Sequence, residues 1–172
     1  HPKGVLWRQG DIYPAALGGR DLTTGSEWTD LDAIADAARH TGVRSMPVAP
    51  FMHGAAHWMA FNAFTGGNTV VLPSVTDRLD PADVWTTVAA ERVKAMLIVG
   101  DAFARPLLDE LRRHPHDTSS LTMVISGGAA LSAPVKQALL DAVDDLVIMD
   151  GLGSSETGTQ ARQFVSAGGP VS

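Results

Sequence analysis

The sequence predicts an α/β fold, a mostly parallel sheet with helices on both faces. Two observations carry this. From Arg44 onward, short apolar or β-branched runs alternate with helix-like segments, the pattern of successive strand–helix units. The runs are also continuously apolar rather than alternating, as strands buried on both faces are.

Residues 1–43 form a less regular entrance. "ALGG" and "DLTTGSEWTD" are rich in turn residues, and a short helix, "LDAIADAARH", starts at Leu31. The body, 44–172, reads "NTVVLP" before "DPADVWTTVAAERV", "KAMLIVG" before "DAFARPLLDELRRH", "LTMVISG" before "SAPVKQALLDAV", and finally "DLVIMDG". Asp80, Asp101 and Ser132 are the expected N-caps, with Pro81 and Pro134 in two of the first turns. No linker divides the body, and one domain or a large part of one is expected.

Composition excludes several function classes. The chain has 172 residues, 45% of them hydrophobic, enough to bury a sizeable core. Thirteen Lys and Arg against nineteen Asp and Glu give a formal charge of -6, so there is no basic footprint for nucleic acid or an anionic membrane. Small-molecule partners are expected. The chain has no cysteine, which removes disulfides, thiolate zinc sites and cysteine nucleophiles. No stretch reaches the roughly 18 apolar residues of a membrane helix. A cytoplasmic location follows as the expectation, peripheral to a membrane at most.

In a parallel sheet, ligands bind outside the carboxyl ends of the strands. Three glycine-marked loops fall there: "VGDA", "SGGAALS" and "DGLGSSETG". Each alone also fits a tight turn, because glycine admits positive φ. The last, Asp150 to Gly158, has three readings: a flexible turn, a serine nucleophile on a strained elbow, or a cradle for phosphate and its metal ion. The nucleophile elbow G-x-S-x-G places Thr157 where a glycine is needed. The dinucleotide fingerprint places Glu156 at its final glycine, and no phosphate-loop signature G-x-x-x-x-G-K-[ST] occurs. Phosphate chemistry suits the residues present: backbone N–H groups and serine hydroxyls donate to phosphate oxygens, and one carboxylate can hold Mg²⁺. Glu156 taken alone reads equally as a surface charge. His53 and His57 share a helical face but lack the Glu of H-E-x-x-H, so they read as core-lining or pocket-lining. His114 and His116 flank Pro115 in a polar turn and read as solvated.

Four segments carry a family resemblance. "GLGSSETG" resembles the G-Y-G-x-T-E-x-G segment of the adenylate-forming (ANL) superfamily, and "SGGAALS" its S-G-G-A-P-L-S segment. "PFMHGAA" is similar to its P-x-x-H-x-x-G region. The opening "HPKG" resembles the end of its phosphate loop, S-G-T-T-G-x-P-K-G. "GVLWRQGDIY" and "GDAFARPLLDEL" resemble the actinobacterial branch that includes fatty-acid and steroid side-chain CoA ligases.

The resemblance implies part of the large N-terminal, AMP-binding domain of an acyl-CoA synthetase, covering 1–172. It implies an ATP-dependent ligase that activates a carboxylic acid as acyl-AMP and transfers it to coenzyme A, with Mg²⁺ as the metal. By similarity, Glu156, Ser155, His53 and Lys3 form the catalytic set, with Glu156 the metal ligand. Gly127, Gly128, Ala129, Asp150, Gly151, Leu152, Gly153, Ser154 and Ser155 border the nucleotide, and His53, Trp58 and Gly128 border the acyl group. Trp58, Phe61 and Phe64 could line a tunnel for the acyl chain, but ordinary helix core is the favoured reading, as expected of a helix packed on a sheet. Leu152 stands where many relatives have an aromatic, so apolar contact replaces stacking on adenine. The family's ribose-binding aspartate and the lysine on its mobile C-terminal domain find no counterpart here, so the expectation is a fragment, inactive alone, whose partner is that domain of the same polypeptide. A non-catalytic nucleotide-binding module and an adenylation domain that loads a carrier protein are the alternatives.

Overall fold

The computed structural model describes residues 4–21, 24–39 and 41–170. The elements along the chain are α1 (Gln9–Ala16), α2 (Leu31–Arg39), β1 (Arg44–Pro47), α3 (Gly54–Thr65), β2 (Thr69–Val70), α4 (Pro81–Glu91), β3 (Ala95–Ile98), α5 (Gly100–Arg113), β4 (Met123–Gly127), α6 (Ala133–Ala142), β5 (Val147–Ser154) and β6 (Gly158–Ser166). One sheet contains all six strands in the order β2-β1-β3-β4-β5-β6. The first five are parallel, and β6 returns antiparallel to β5.

Side-chain alternation along the strands divides the interior in two. Met96, Ile98, Val124 and Ile148 face α4, α5 and α6, where they meet Trp85, Val88, Leu107, Val135 and Leu139 in the main core. Trp85 is fully buried and its indole N–H donates to the Leu107 carbonyl at 2.9 Å, so the largest core residue leaves no polar atom unsatisfied. Leu97 faces the other way and packs with Ala56 of α3 and Ala49, flanked by Met59, Val99 and Ile125. Helices thus lie on both faces, but the α3 side is thinly covered.

This arrangement creates a topological switch. From β1 the chain crosses through α3 to β2 on one side. It then returns through α4, on the opposite face, to β3 on the other side of β1. The loops after β1 and β3 therefore diverge at the carboxyl ends of the strands, the place where ligands bind in sheets of this kind.

Several local expectations need correction. The entrance contains α1, whose sequence includes Pro14; Asn62 donates to the Ala16 carbonyl and Thr65 Oγ1 to that of Leu17, so α3 ties it down. Asp80 caps α4 as expected, accepting from the Asp83 N–H at 3.2 Å. Asp101 does not cap α5, which begins at Gly100 with Val99 as the N-cap. Its carboxylate instead accepts from the Ser132 N–H and Oγ, each at 2.8 Å. Ser132 is the N-cap of α6 as expected, but its hydroxyl is committed to Asp101 rather than to its own helix. His116 is not solvated: its side chain is 15% exposed and, with His114, meets Glu110 Oε1.

Candidate nucleotide site at the strand ends

The pairing of β4 with β5 ends with Ser126 opposite Asp150 and Gly127 opposite Gly151, where β4 itself ends. A Cβ at Gly127 would come no closer than 3.5 Å to the Gly151 carbonyl, and one at Gly151 no closer than 3.4 Å to the Ser126 carbonyl. Those are ordinary contacts, so packing does not require glycine at either place. The missing side chains leave bare backbone at the sheet's edge. Gly128 follows at φ +84°, where a side chain would be strained, and Gly128 and Ala129 are exposed.

The segment 150–158 is not a simple turn. β5 runs through it to Ser154, pairs with β6 and is irregular at Leu152/Gly153. Gly153 has a structural reason: its Cβ would sit 2.3 Å from the Gly158 carbonyl, so the hairpin closes only around glycine. Ser155, Glu156 and Thr157 form the tip, where the Thr157 N–H donates to the Ser154 carbonyl at 3.3 Å and the two hydroxyls of Ser154 and Thr157 lie 3.0 Å apart. Ser155 and Glu156 are exposed, and the Glu156 carboxylate has no hydrogen bond or ion pair among the described residues. Leu152 is 68% exposed beside them. The indole of Trp7 reaches the tip and donates to the Ser155 carbonyl.

His53 follows β1 at the switch and occupies the N-cap of α3, its own side chain exposed. β1 and β4 are two strand spacings apart, about 10 Å, and His53, in the segment after β1, lies at the same end of the sheet as Gly127. The Trp58 ring folds back over Gly54, 3.1 Å from where a Cβ would stand, which keeps it near His53. Phe61 and Phe64 lie on a different stripe of α3: His57 and Phe61 have ring centroids 4.8 Å apart, and Phe61 meets Phe64 edge-on. Phe61 is 42% and Phe64 60% exposed, so neither is helix core. Lys3 lies outside the described residues. A hollow of about 440 Å³ opens between α5 and α6, lined in part by Leu108, Arg112 and Asp141, away from the strand ends.

Two residues that the sequence reading did not place at the site organise this region. Lys136, on α6, is 3% exposed and its Nζ lies 2.9 Å from Asp150 Oδ2. The available signal was a lysine at i-4 from Leu140 and next to Val135, on the buried stripe of an amphipathic helix, where lysine is rare without a partner. Asp101 fixes the other glycine loop. The Ser132 N–H foremost holds its carboxyl below the usual carboxylate range; desolvation pushes it the other way, and the Arg105 guanidinium and the Ser132 hydroxyl add to the lowering. The Asp101 N–H in turn donates to the Ala130 carbonyl at 3.0 Å.

The sequence profile of the family described as "AMP-binding enzyme" matches residues 1–170. The chain belongs to this family. Among curated AMP-binding relatives, a medium-chain acyl-CoA ligase of Mycobacterium avium is 45% identical over 97% of this chain and 30% of its own length. A Mycobacterium marinum ligase named for medium/long-chain fatty acids and 3-oxocholest-4-en-26-oate is 40% identical over the same shares. A 3-oxocholest-4-en-26-oate–CoA ligase of Rhodococcus rhodochrous is 35% identical over 92% of the chain and 29% of its length. The chain thus spans about 30% of the length of these relatives. Solved structures of the same fold include a nonribosomal peptide synthetase, FmoA3 (TM-score 0.67, 17% identity, 80% of this chain and 15% of that one). The amide bond synthetase McbA of Marinactinospora thermotolerans is another (TM-score 0.61, 23% identity, 77% of this chain and 27% of that one). These likenesses agree with the expected sheet and the actinobacterial branch. Among the described residues no helix is long and apolar enough to cross a membrane.

Proposed function

We propose that this segment supplies the phosphate-facing and acyl-facing walls of an ATP-dependent acid–thiol ligase acting on medium- or long-chain fatty acids or a steroid side-chain acid. The observation that supports the reading is the pairing of Gly127 with Gly151 at the end of the β4–β5 ladder, from which β5 runs on into a hydroxyl-bearing hairpin tip. The names of the mycobacterial and rhodococcal relatives supply the acid class.

In the first step a carboxylate oxygen of the acid attacks the α-phosphorus of ATP, the α–β P–O bond breaks, and pyrophosphate leaves. In the second, the thiolate of coenzyme A attacks the acyl carbonyl, and AMP leaves as the C–O bond breaks. Both steps need positioning and charge neutralisation more than covalent help from the protein. The Ser154, Ser155 and Thr157 hydroxyls donate to phosphate oxygens, and the bare backbone at Gly127, Gly128 and Gly151 lets the nucleotide approach the sheet edge. Leu152 offers an apolar surface to the base. His53 stands on the acid's side of the site, with Trp58 beside it. Lys3 belongs with the phosphate-loop residues at the start of the chain.

Glu156 is a hard oxygen donor, exposed and uncommitted among the described residues, which fits an ion that keeps waters and substrate oxygens as its other ligands. Bound there, Mg²⁺ would neutralise charge on the phosphates.

The test uses the complete polypeptide carrying this segment, with a panel of fatty and steroid acids. Acid-dependent pyrophosphate release followed by acyl-CoA formation is expected. Release with transfer only to a carrier protein would reassign the acceptor. Absence of release with every acid, alongside intact folding, would leave a nucleotide-binding module in place of the enzyme.

A further inference from the structure

The sheet edge poses a problem of register. Beyond Gly151, β5 no longer pairs with β4 and continues only against β6. The hairpin carrying Leu152 to Thr157 therefore leaves the parallel sheet just where it has to face the loop 127–132. Residues 151 and 153 are glycines and contribute no side-chain anchor. Asp150 is the last residue before this departure that has a side chain.

The loop on the other side is firmly held. The Gly100 N–H donates to Ser126 Oγ at 3.2 Å, the Asp101 N–H to the Ala130 carbonyl, and the Asp101 carboxylate grips Ser132. The Lys136 N–H donates to the Ser132 carbonyl at 2.9 Å, so Lys136 stands one turn into the helix that this clamp fixes. Its ammonium then reaches Asp150. Burying an ammonium costs more than burying an apolar side chain of the same size, and a well-packed apolar pair is often at least as stabilising. What the ion pair adds is direction: a defined distance and angle between α6 and β5.

We propose that Lys136 is a positioning residue that couples the two glycine segments, holding Asp150, and through it the Leu152–Thr157 hairpin, in fixed register with the Gly127–Ser132 loop so that both face one nucleotide. The coupling rests on the nucleotide-site reading above. It acts through Asp150 rather than by touching the reacting atoms, so its loss shows in ATP binding before it shows in the acid.

The test compares Lys136→Met, Asp150→Asn and the double variant in the complete polypeptide, at a temperature well below the melting point of each. Amide hydrogen exchange is followed in 127–132 and 150–157, together with KM for MgATP, KM for the acid and kcat in pyrophosphate release. Lys136→Met is expected to raise KM for ATP about tenfold or more while KM for the acid stays within about twofold, since the segment at His53 is untouched. Exchange should accelerate in both glycine segments and not in β1 or β3. The double variant, which removes both charges, should regain thermal stability without regaining the ATP KM. An ATP KM within about twofold of the parent in Lys136→Met, or recovery of KM together with stability in the double variant, overturns the coupling and leaves a pair that serves the fold alone. If the parent releases no pyrophosphate, the ligase reading fails, and exchange decides the coupling by itself: faster in both segments supports it, unchanged in either overturns it.

Discussion

The indole N–H of Trp7 donates to the carbonyl of Ser155 at 2.7 Å, across 148 residues of chain. The entrance segment is therefore seated on the hairpin tip, and α1 lies against β6, where Gly158 faces the Ala15 carbonyl. Residues that read as connecting structure instead brace the most exposed part of the candidate site.

Trp7→Phe keeps an aromatic side chain, though a smaller one, and removes the donor. One hydrogen bond of this kind is worth about 1 kcal/mol net, so KM for ATP is expected to rise roughly fivefold. Steady-state kinetics of the complete polypeptide, with circular dichroism to confirm the fold, check this; an unchanged KM would mean that the tip holds its shape without the entrance.

Glu156→Gln conserves shape and removes a negative donor. Because the carboxylate is exposed and has no described partner, stability should change by no more than about 0.5 kcal/mol. Pyrophosphate release at saturating Mg²⁺ should nevertheless fall about tenfold or more. Activity within about twofold of the parent, roughly 0.4 kcal/mol of barrier, would remove Glu156 from the metal site.

Ser155 should not react with a fluorophosphonate probe. It sits at the exposed tip of a β-hairpin rather than on a strand-to-helix elbow, and no described histidine hydrogen-bonds to it, so no described residue activates its hydroxyl. Stoichiometric labelling at Ser155 would restore the hydrolase reading.

Acid should loosen two contacts of α5, the Asp101 clamp on Ser132 at the start of α6 and the Glu110 contact with His114 and His116 just after α5. The folded-state pKa of Asp101 is lowered, mainly by the Ser132 N–H, and that of Glu110 is lowered, mainly by its hydrogen bond with His116. A lowered carboxylate contributes stability that is present above its unfolded pKa, about 4 for these groups, and is lost as pH falls through the folded value. The midpoint of urea unfolding should therefore drop below about pH 4, and Asp101→Asn should flatten that dependence. An identical pH profile in the variant would show that the clamp does not titrate.

The main core and most helices were legible because their signals are local. "KAMLIVG" and "LTMVISG" are continuous apolar runs, and Asp80-Pro81 marks a helix start in two residues. β6 was not legible: Arg162, Gln163 and Phe164 are exposed and only Gly158 and Val165 are buried, so no apolar pattern distinguishes it, and its strand conformation comes from pairing with β5. β2 shrank from "NTVVLP" to Thr69–Val70 at the opposite edge, where one neighbour supplies all the pairing. The phosphate-like composition of "GSSE" was readable, whereas the hairpin that presents it was not, because the contact with Gly158 that requires glycine at 153 is not visible in sequence. Asp101 looked like a cap because sequence shows the type of a side chain and not the distant N–H that claims it.

The thin covering on the α3 side separates two kinds of sequence freedom. Behind the sheet, Trp85, Leu107, Val124, Leu139 and Ile148 interlock with almost no exposure, so a change of one methylene there is felt throughout. In front, alanines face Leu97 across a shallow contact while His57, Phe61 and Phe64 stand clear of it. Substitutions on that outer stripe meet little steric resistance, so drift can reshape the front of the molecule while the back preserves the strand register on which Gly127 and Gly151 depend.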